Sequence, residues 1–173
     1  MKKFVLVLLL FISVFSFSKE NFTENEKNVA LKQFIEFQKA LKNKDINTLK
    51  KYIDNPVYGF NYIDGKSYQE YNIPVSHDEI VKYKAKFMDN MKEMALLKVD
   101  LNSNTVKSYK KGEVEVSAGF STTEENEGWG FDSDEKRFIV FYYYDDPEYP
   151  TYDRYVFKFE NNKLKLYDVF LGP

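Results

Sequence analysis

The chain has 173 residues, with 25 basic and 27 acidic side chains, a formal net charge of −2 and no cysteine. Charges of both signs are interspersed, which excludes binding to a nucleic-acid backbone or an anionic membrane surface, because both want clustered positive charge. The lack of cysteine excludes a disulfide framework, a thiol nucleophile, thiolate-held metal and a lipid-modified cysteine anchor, so stability has to come from packing, for which 18% aromatic residues supply the apolar area.

Lys2 and Lys3 precede an unbroken apolar run at 4–12, and Ser16-Phe17-Ser18 follows. A basic start, a short apolar segment and small residues at the −3 and −1 positions form a secretory signal, with cleavage expected after Ser18. The run is shorter than the roughly 20 residues a spanning helix needs. Residues 19–173 are then expected to form a single domain that is periplasmic or secreted and free of the membrane once the leader is removed.

Thr23 and Glu26 make a capping box, and Ala30, Leu31, Phe34, Ile35, Phe37 and Leu41 recur at helical spacing, predicting a first helix to about Lys42. Asp45 caps a second, shorter helix with Ile46, Leu49 and Ile53 on one face, ended by Asn55-Pro56. Aromatic and β-branched residues flank Asp64-Gly65, predicting a small hairpin over 57–71. Ser76 and Glu79 open a third helix, whose Ile80, Val81, Phe87, Met88, Met91 and Met94 face the core and which ends near Leu96. The methionines are core filler.

Beyond Leu96 the apolar period is two. Leu97, Val99 and Leu101 alternate with polar residues, as do Val114, Val116, Ala118 and Phe120, then Tyr155, Phe157 and Phe159, then Leu164 and Leu166 after Asn161-Asn162. These predict an antiparallel meander. The segment 137–144 differs because both faces are apolar or aromatic: Phe138, Val140, Tyr142 and Tyr144 on one, Ile139, Phe141 and Tyr143 on the other. Both faces are expected to be covered, the second by a partner, a ligand or the N-terminal segment.

This element order resembles the nuclear transport factor 2-like (SnoaL-like, cystatin-like) α+β cone. The run Phe37-Gln38-Lys39-Ala40-Leu41-Lys42-Asn43-Lys44-Asp45 into Leu49 and Tyr52 resembles the first helix junction of that family. Ser76-His77-Asp78-Glu79-Ile80 resembles the start of its third helix, and Phe157-Lys158-Phe159-Glu160-Asn161-Asn162-Lys163-Leu164 through Val169 its final hairpin. The resemblance implies three N-terminal helices and a small hairpin packed on a curved antiparallel sheet, a pocket at the open end, and dimerisation through the sheet. Its members include isomerases, dehydratases, hydrolases and non-catalytic binding domains, and the fold does not choose among them. The Gln-x-Val-x-Gly loop of the inhibitory cystatins does not occur.

No motif names a reaction. His77, the only histidine, follows an N-cap, where a surface or capping role competes with acid–base work. Continuing the alternation of Leu164 and Leu166 puts Asp168 on the inward face as a raised-pKa base, with Tyr52, Tyr58 or Tyr62 as phenol donor, whereas a bulge would turn it outward into an ordinary ion pair. Residues 122–135 are rich in carboxylates, but Arg137 stands where a calcium loop needs glycine, so a solvated loop is expected and no metal or cofactor. Trp129 within it is either a lid over the core or an exposed anchor. Tyr142, Tyr144, Tyr149 and Tyr152 suit an interaction surface, packing and turn formation being the alternative. The resulting expectation is an exported, non-catalytic domain that binds a protein or small molecule. A pocket enzyme using Asp168 and a tyrosine is one alternative, and a subunit of an envelope assembly is another.

Overall fold

A computed structural model describes residues 21–59, 74–121, 135–145 and 151–170. The leader, Tyr62, the Asp64-Gly65 turn, Trp129 and Tyr149 lie outside the described residues.

Helix α1 (Glu24–Lys42) starts where the sequence signals it. The Thr23 hydroxyl accepts from the Glu26 N–H, and the Glu26 carboxylate accepts from the Thr23 N–H at 2.9 Å. This satisfies two of the donors that a helix start leaves without intrahelical partners. The helix closes in a Schellman arrangement, with the Lys44 N–H donating to the Leu41 carbonyl, the Asp45 N–H to that of Ala40, and Lys44 at φ 54°. Asp45 then caps α2 (Ile46–Leu49) through the Asn47 and Thr48 amides, and a 3₁₀ turn (Lys50–Tyr52) leads into β1 (Ile53–Tyr58). The expected helix face carrying Ile53 therefore ends earlier than Asn55-Pro56, because Ile53 is already extended and paired with Leu166.

β2 (Pro74–Val75) pairs antiparallel with β1, Val57 opposite Val75, so β1 finds its antiparallel neighbour at 74–75, beyond the 57–71 window. Ser76 and Glu79 form the second capping box, opening α3 (His77–Lys82). The single third helix expected from spacing is broken at Tyr83 (φ −108°, ψ 26°) and resumes as α4 (Lys84–Asn90), then as a 3₁₀ segment (Lys92–Leu96). Tyr83 leans half-buried on the core, a packing effect that local periodicity does not encode. Ile80, Phe87, Met91 and Met94 are buried as expected, whereas Val81 is 40% exposed.

Strands β3 (Lys98–Asp100) and β4 (Thr105–Lys107) form a separate two-stranded ribbon rather than joining the meander. The Asn28 side-chain amide ties that ribbon to α1, donating to the Leu101 carbonyl and to Asn104 Oδ1. β5 (Tyr109–Lys111), β6 (Val114–Phe120), β7 (Arg137–Tyr144), β8 (Thr151–Glu160) and β9 (Lys163–Phe170) follow. The main sheet has seven strands in the order β2-β1-β9-β8-β7-β6-β5. Every pairing in it is antiparallel except β1 with β9, so the sheet is mixed where an all-antiparallel one was expected. The physical reason is edge coverage: β9 would present unpaired amides and carbonyls, and β1 occupies that edge. Among the described residues the protein is thus an α+β structure with four α-helices.

The core is one cluster on the inner sheet face. The Phe34 ring lies 4.9 Å from Phe138 and 5.7 Å from Phe157, and that of Phe37 5.2 Å from Phe157, all edge-on. Phe138, Val140 and Tyr142 of β7, Tyr155, Phe157 and Phe159 of β8, and Leu164, Leu166 and Val169 of β9 are buried on this side. Among the described residues no helix is long and apolar enough to cross a membrane.

Candidate binding site

Strand β7 carries aromatic side chains on both faces, and the structure gives the two faces different surroundings. On the inner face, period-two alternation brings Tyr142 and Tyr144 of β7 beside Asp153 and Tyr155 of β8, because Tyr142 and Asp153 are directly opposed in register and Val140 opposes Tyr155. Helix α4 and the 3₁₀ segment close the other side with Lys86 and Glu93, leaving a cleft of about 530 Å³. That volume lies within the usual range of small-molecule sites, roughly 300 to 1,000 Å³.

The cleft's phenols are held rather than free. The Tyr142 hydroxyl accepts from the Met94 N–H at 2.9 Å, and that of Tyr155 donates to the Asn90 carbonyl at 2.8 Å. These bonds fasten the 3₁₀ segment and the end of α4 to the sheet. Nearer the mouth, the Tyr144 hydroxyl donates to Asp153 Oδ2 at 2.5 Å. Burial pushes all three phenols above the usual tyrosine range, helped at Tyr144 by the hydrogen bond to Asp153, so they stay protonated at neutral pH and act as hydrogen-bonding groups. Beside them Oε2 of Glu93 is buried with no hydrogen-bond partner among the described residues, an acceptor that a bound donor would satisfy.

The outer face holds a ladder of rings on three adjacent strands. Phe141 stacks on Tyr143 at 5.6 Å, Tyr152 meets Tyr143 at 6.4 Å and Phe170 at 5.9 Å, and the Arg154 guanidinium lies 5.7 Å from the Phe170 ring. Tyr143 and Tyr152 are 44% and 42% exposed. At the other end of β7 this face is covered: Ile139 and Val156 are buried, and Arg137 is 2% exposed, paired with Glu135 and lying 5.2 Å from the Tyr167 ring. The expectation that both faces of β7 are covered therefore holds for its first half and fails at Tyr143.

Asp168 stands on this outer face, not the inner one. Val156 pairs with Asp168 and Phe157 with Leu166, which leaves Tyr167 as an extra residue in β9 and reverses the direction of the side chain after it. Burial raises the Asp168 carboxyl, while the charges of Arg154 and Arg137 and the Val169 amide pull it down. Tyr58 is its register neighbour across β1–β9, and the Tyr58 ring meets Tyr167 at 6.4 Å. Tyr52 sits apart in the 3₁₀ turn, half-buried. His77 plays a structural part, tying the start of α3 to β1. Its backbone N–H donates to Asn55 Oδ1, and its Nε2 lies 3.1 Å from the Ile53 carbonyl, an acceptor to which the ring must donate. None of Asp168, Tyr52, Tyr58 or His77 lines the cleft.

Asp153, Glu93 and Tyr155 are the cleft residues that sequence reasoning misses as site groups. The alternation that carries Tyr155, Phe157 and Phe159 inward extends back to Asp153, and this is the signal by which it can be found. Among the described residues no cluster of three His, Asp or Glu side chains is placed to hold a metal ion. Comparison with protein families, with curated proteins and with solved structures finds no match to this chain.

Proposed function

We propose that the protein is an exported, non-catalytic binding domain that takes a small polar ligand in the cleft between α4 and the inner sheet face. The observation that carries this reading is the convergence of the Tyr144–Asp153 pair with the unsatisfied Glu93 carboxylate oxygen in a cavity of about 530 Å³. The carboxylates Asp89, Glu93 and Asp153 line it together with Lys86 and Lys92, and the ligand is expected to present N–H or O–H donors to Glu93 and Asp153. Export is inferred from Lys2 and Lys3, the apolar run at 4–12 and Ser16-Phe17-Ser18. A nuclear transport factor 2-like cone is inferred from the helix, hairpin, helix and long-strand order, and a pocket between the helices and the sheet accords with it.

A chemical-shift screen of small amines and polyols against the purified protein tests the reading. Hits are expected to perturb Tyr142, Tyr144 and Asp153 resonances, to bind at least tenfold more weakly to Asp153→Asn and Glu93→Gln, and to be recovered unchanged. Hits that map elsewhere, or that bind both variants as well as the parent, overturn it.

One observation favours a second reading, that of a pocket enzyme: Asp153 is a carboxylate bonded to a phenol inside a cleft, an arrangement in which it can act as a base. Conversion of a screened ligand, abolished by Asp153→Asn, decides for it. A second copy of this chain is proposed as the occupant of the outer ring ladder, and envelope-assembly subunits would use the same face.

A further inference from the structure

A second cavity lies beside the tyrosine cleft, sharing Asp89 and Lys92 with it and otherwise lined by different residues. The end of α1, the outer turn of α4 and the 3₁₀ segment enclose a groove of about 580 Å³. Its floor is apolar: Leu41 is 6% exposed, Met88 is half-buried, and Leu96 is 42% exposed at the lip. An exposed leucine on a short buried-floor groove is the kind of surface that water leaves readily.

The rim is cationic. Lys42, Lys44 and Lys84 surround the groove from two different helix ends, and all three are exposed. Among the described residues no ion pair or side-chain hydrogen bond engages any of them, whereas Lys92, which also lines the groove, is neutralised there by Asp89 at 2.9 Å. Three uncompensated ammonium groups around an apolar trough match a molecule with one anionic end and one hydrocarbon end. The long lysine stems can lie along the hydrocarbon while their heads meet the charge. The cavity volume suits one extended chain.

We propose that this groove binds a free single-chain amphiphile with an anionic head, of the long-chain carboxylate type, with the chain along Leu41, Met88 and Leu96 and the head among Lys42, Lys44 and Lys84. The proposal does not rest on the reading of the tyrosine cleft, with which the groove shares Asp89 and Lys92.

Titration of the purified protein with sodium dodecanoate below its micellar concentration, followed by amide chemical shifts, is the test. Saturable shifts are expected at Leu41, Met88 and Leu96. Affinity is expected to fall at least tenfold for hexanoate, because each methylene buried contributes about 0.8 kcal/mol. It is also expected to fall at least tenfold in the double variant Lys42→Glu/Lys84→Glu, and several-fold in Leu96→Ser, which alters an exposed position and leaves the core intact. The proposal is overturned by absence of saturation, or by shifts confined to the tyrosine cleft. Equal affinity for a neutral dodecyl glycoside, undiminished binding in the Lys42→Glu/Lys84→Glu protein, or binding to anionic phosphatidylglycerol vesicles without binding to dodecanoate overturns it as well.

Discussion

Gln38 shows how much one polar side chain can organise. It lies on the apolar stripe of α1, 6% exposed, and its amide donates to the Met94 carbonyl at 2.6 Å and the Leu97 carbonyl at 3.0 Å. Those two acceptors belong to the irregular segment that forms one wall of the tyrosine cleft. Replacing the amide with a hydrocarbon of similar size would leave both carbonyls buried and unpaired, so Gln38→Leu is expected to cost about 1–3 kcal/mol in urea unfolding. A neutral result would show that water reaches those carbonyls. Asp168 is the opposite case. Its carboxyl is raised by burial in the folded state, so the ionised form is penalised above the folded pKa, and that penalty vanishes below the unfolded pKa. Asp168→Asn removes the penalty, and its stability relative to the parent should therefore improve as pH rises from about 3 to 7. Parallel stability curves across that window would refute the burial argument. The part played by Gln38 has no signal in the sequence, whereas for Asp168 the sequence leaves two sides open, inward on strict alternation and outward with a bulge, and the register shift in β9 turns it outward.

Among the elements, those with local causes are readable and those with distant causes are not. The capping boxes at Thr23 and Ser76 lie where their residues signal them, and Asn161-Asn162, at φ 53° and 57°, makes the tight β8–β9 turn. The parallel pairing of β1 with β9 joins segments more than a hundred residues apart and has no local signal. Gly59 marks the place where that pairing ends. Its backbone sits at φ 87°, a conformation that L side chains rarely adopt, and a Cβ built there would overlap the carbonyl oxygen of Val169. The obstacle is backbone of a buried strand, so no side chain can swing aside to relieve it. Gly59→Ala is expected to destabilise by at least about 2 kcal/mol, combining conformational strain with displacement of β9. Thermal unfolding measures this. A melting temperature unchanged from the parent would mean that β1 and β9 can separate at this point without loss, and that the mixed sheet is not a single cooperative unit.

For the whole molecule, the decisive feature is that β7 is aromatic on two sides while, among the described residues, the helices cover only one. The inner side explains itself through Phe34, Phe37 and the cleft. The outer side does not: Phe141, Tyr143, Tyr152 and Phe170 form a continuous ring surface, with Tyr143 and Tyr152 more than 40% exposed. Exposed tyrosines carry a lower solvation penalty than leucines, which lets such a face stay soluble as a monomer and still lose water on contact. Self-pairing about a two-fold axis would place the ladder against its own copy, each ring surface serving as both donor and acceptor of contact. A stable interface of that kind buries about 800 Å² on each partner, more than these rings alone provide, so the expected association is weak and concentration-dependent. Sedimentation velocity of the purified protein should show a monomer giving way to a dimer as concentration rises into the hundreds of micromolar range, where weak contacts of a few kcal/mol become populated. Tyr143→Glu/Tyr152→Glu introduces like charges into both copies at the contact and should hold the protein monomeric at every concentration, with a modestly lower unfolding midpoint because the two positions are direct cross-strand neighbours. A parent that stays monomeric throughout would leave the outer ladder without a self-partner, and the aromatic doubling of β7 would then have to be explained by a different molecule.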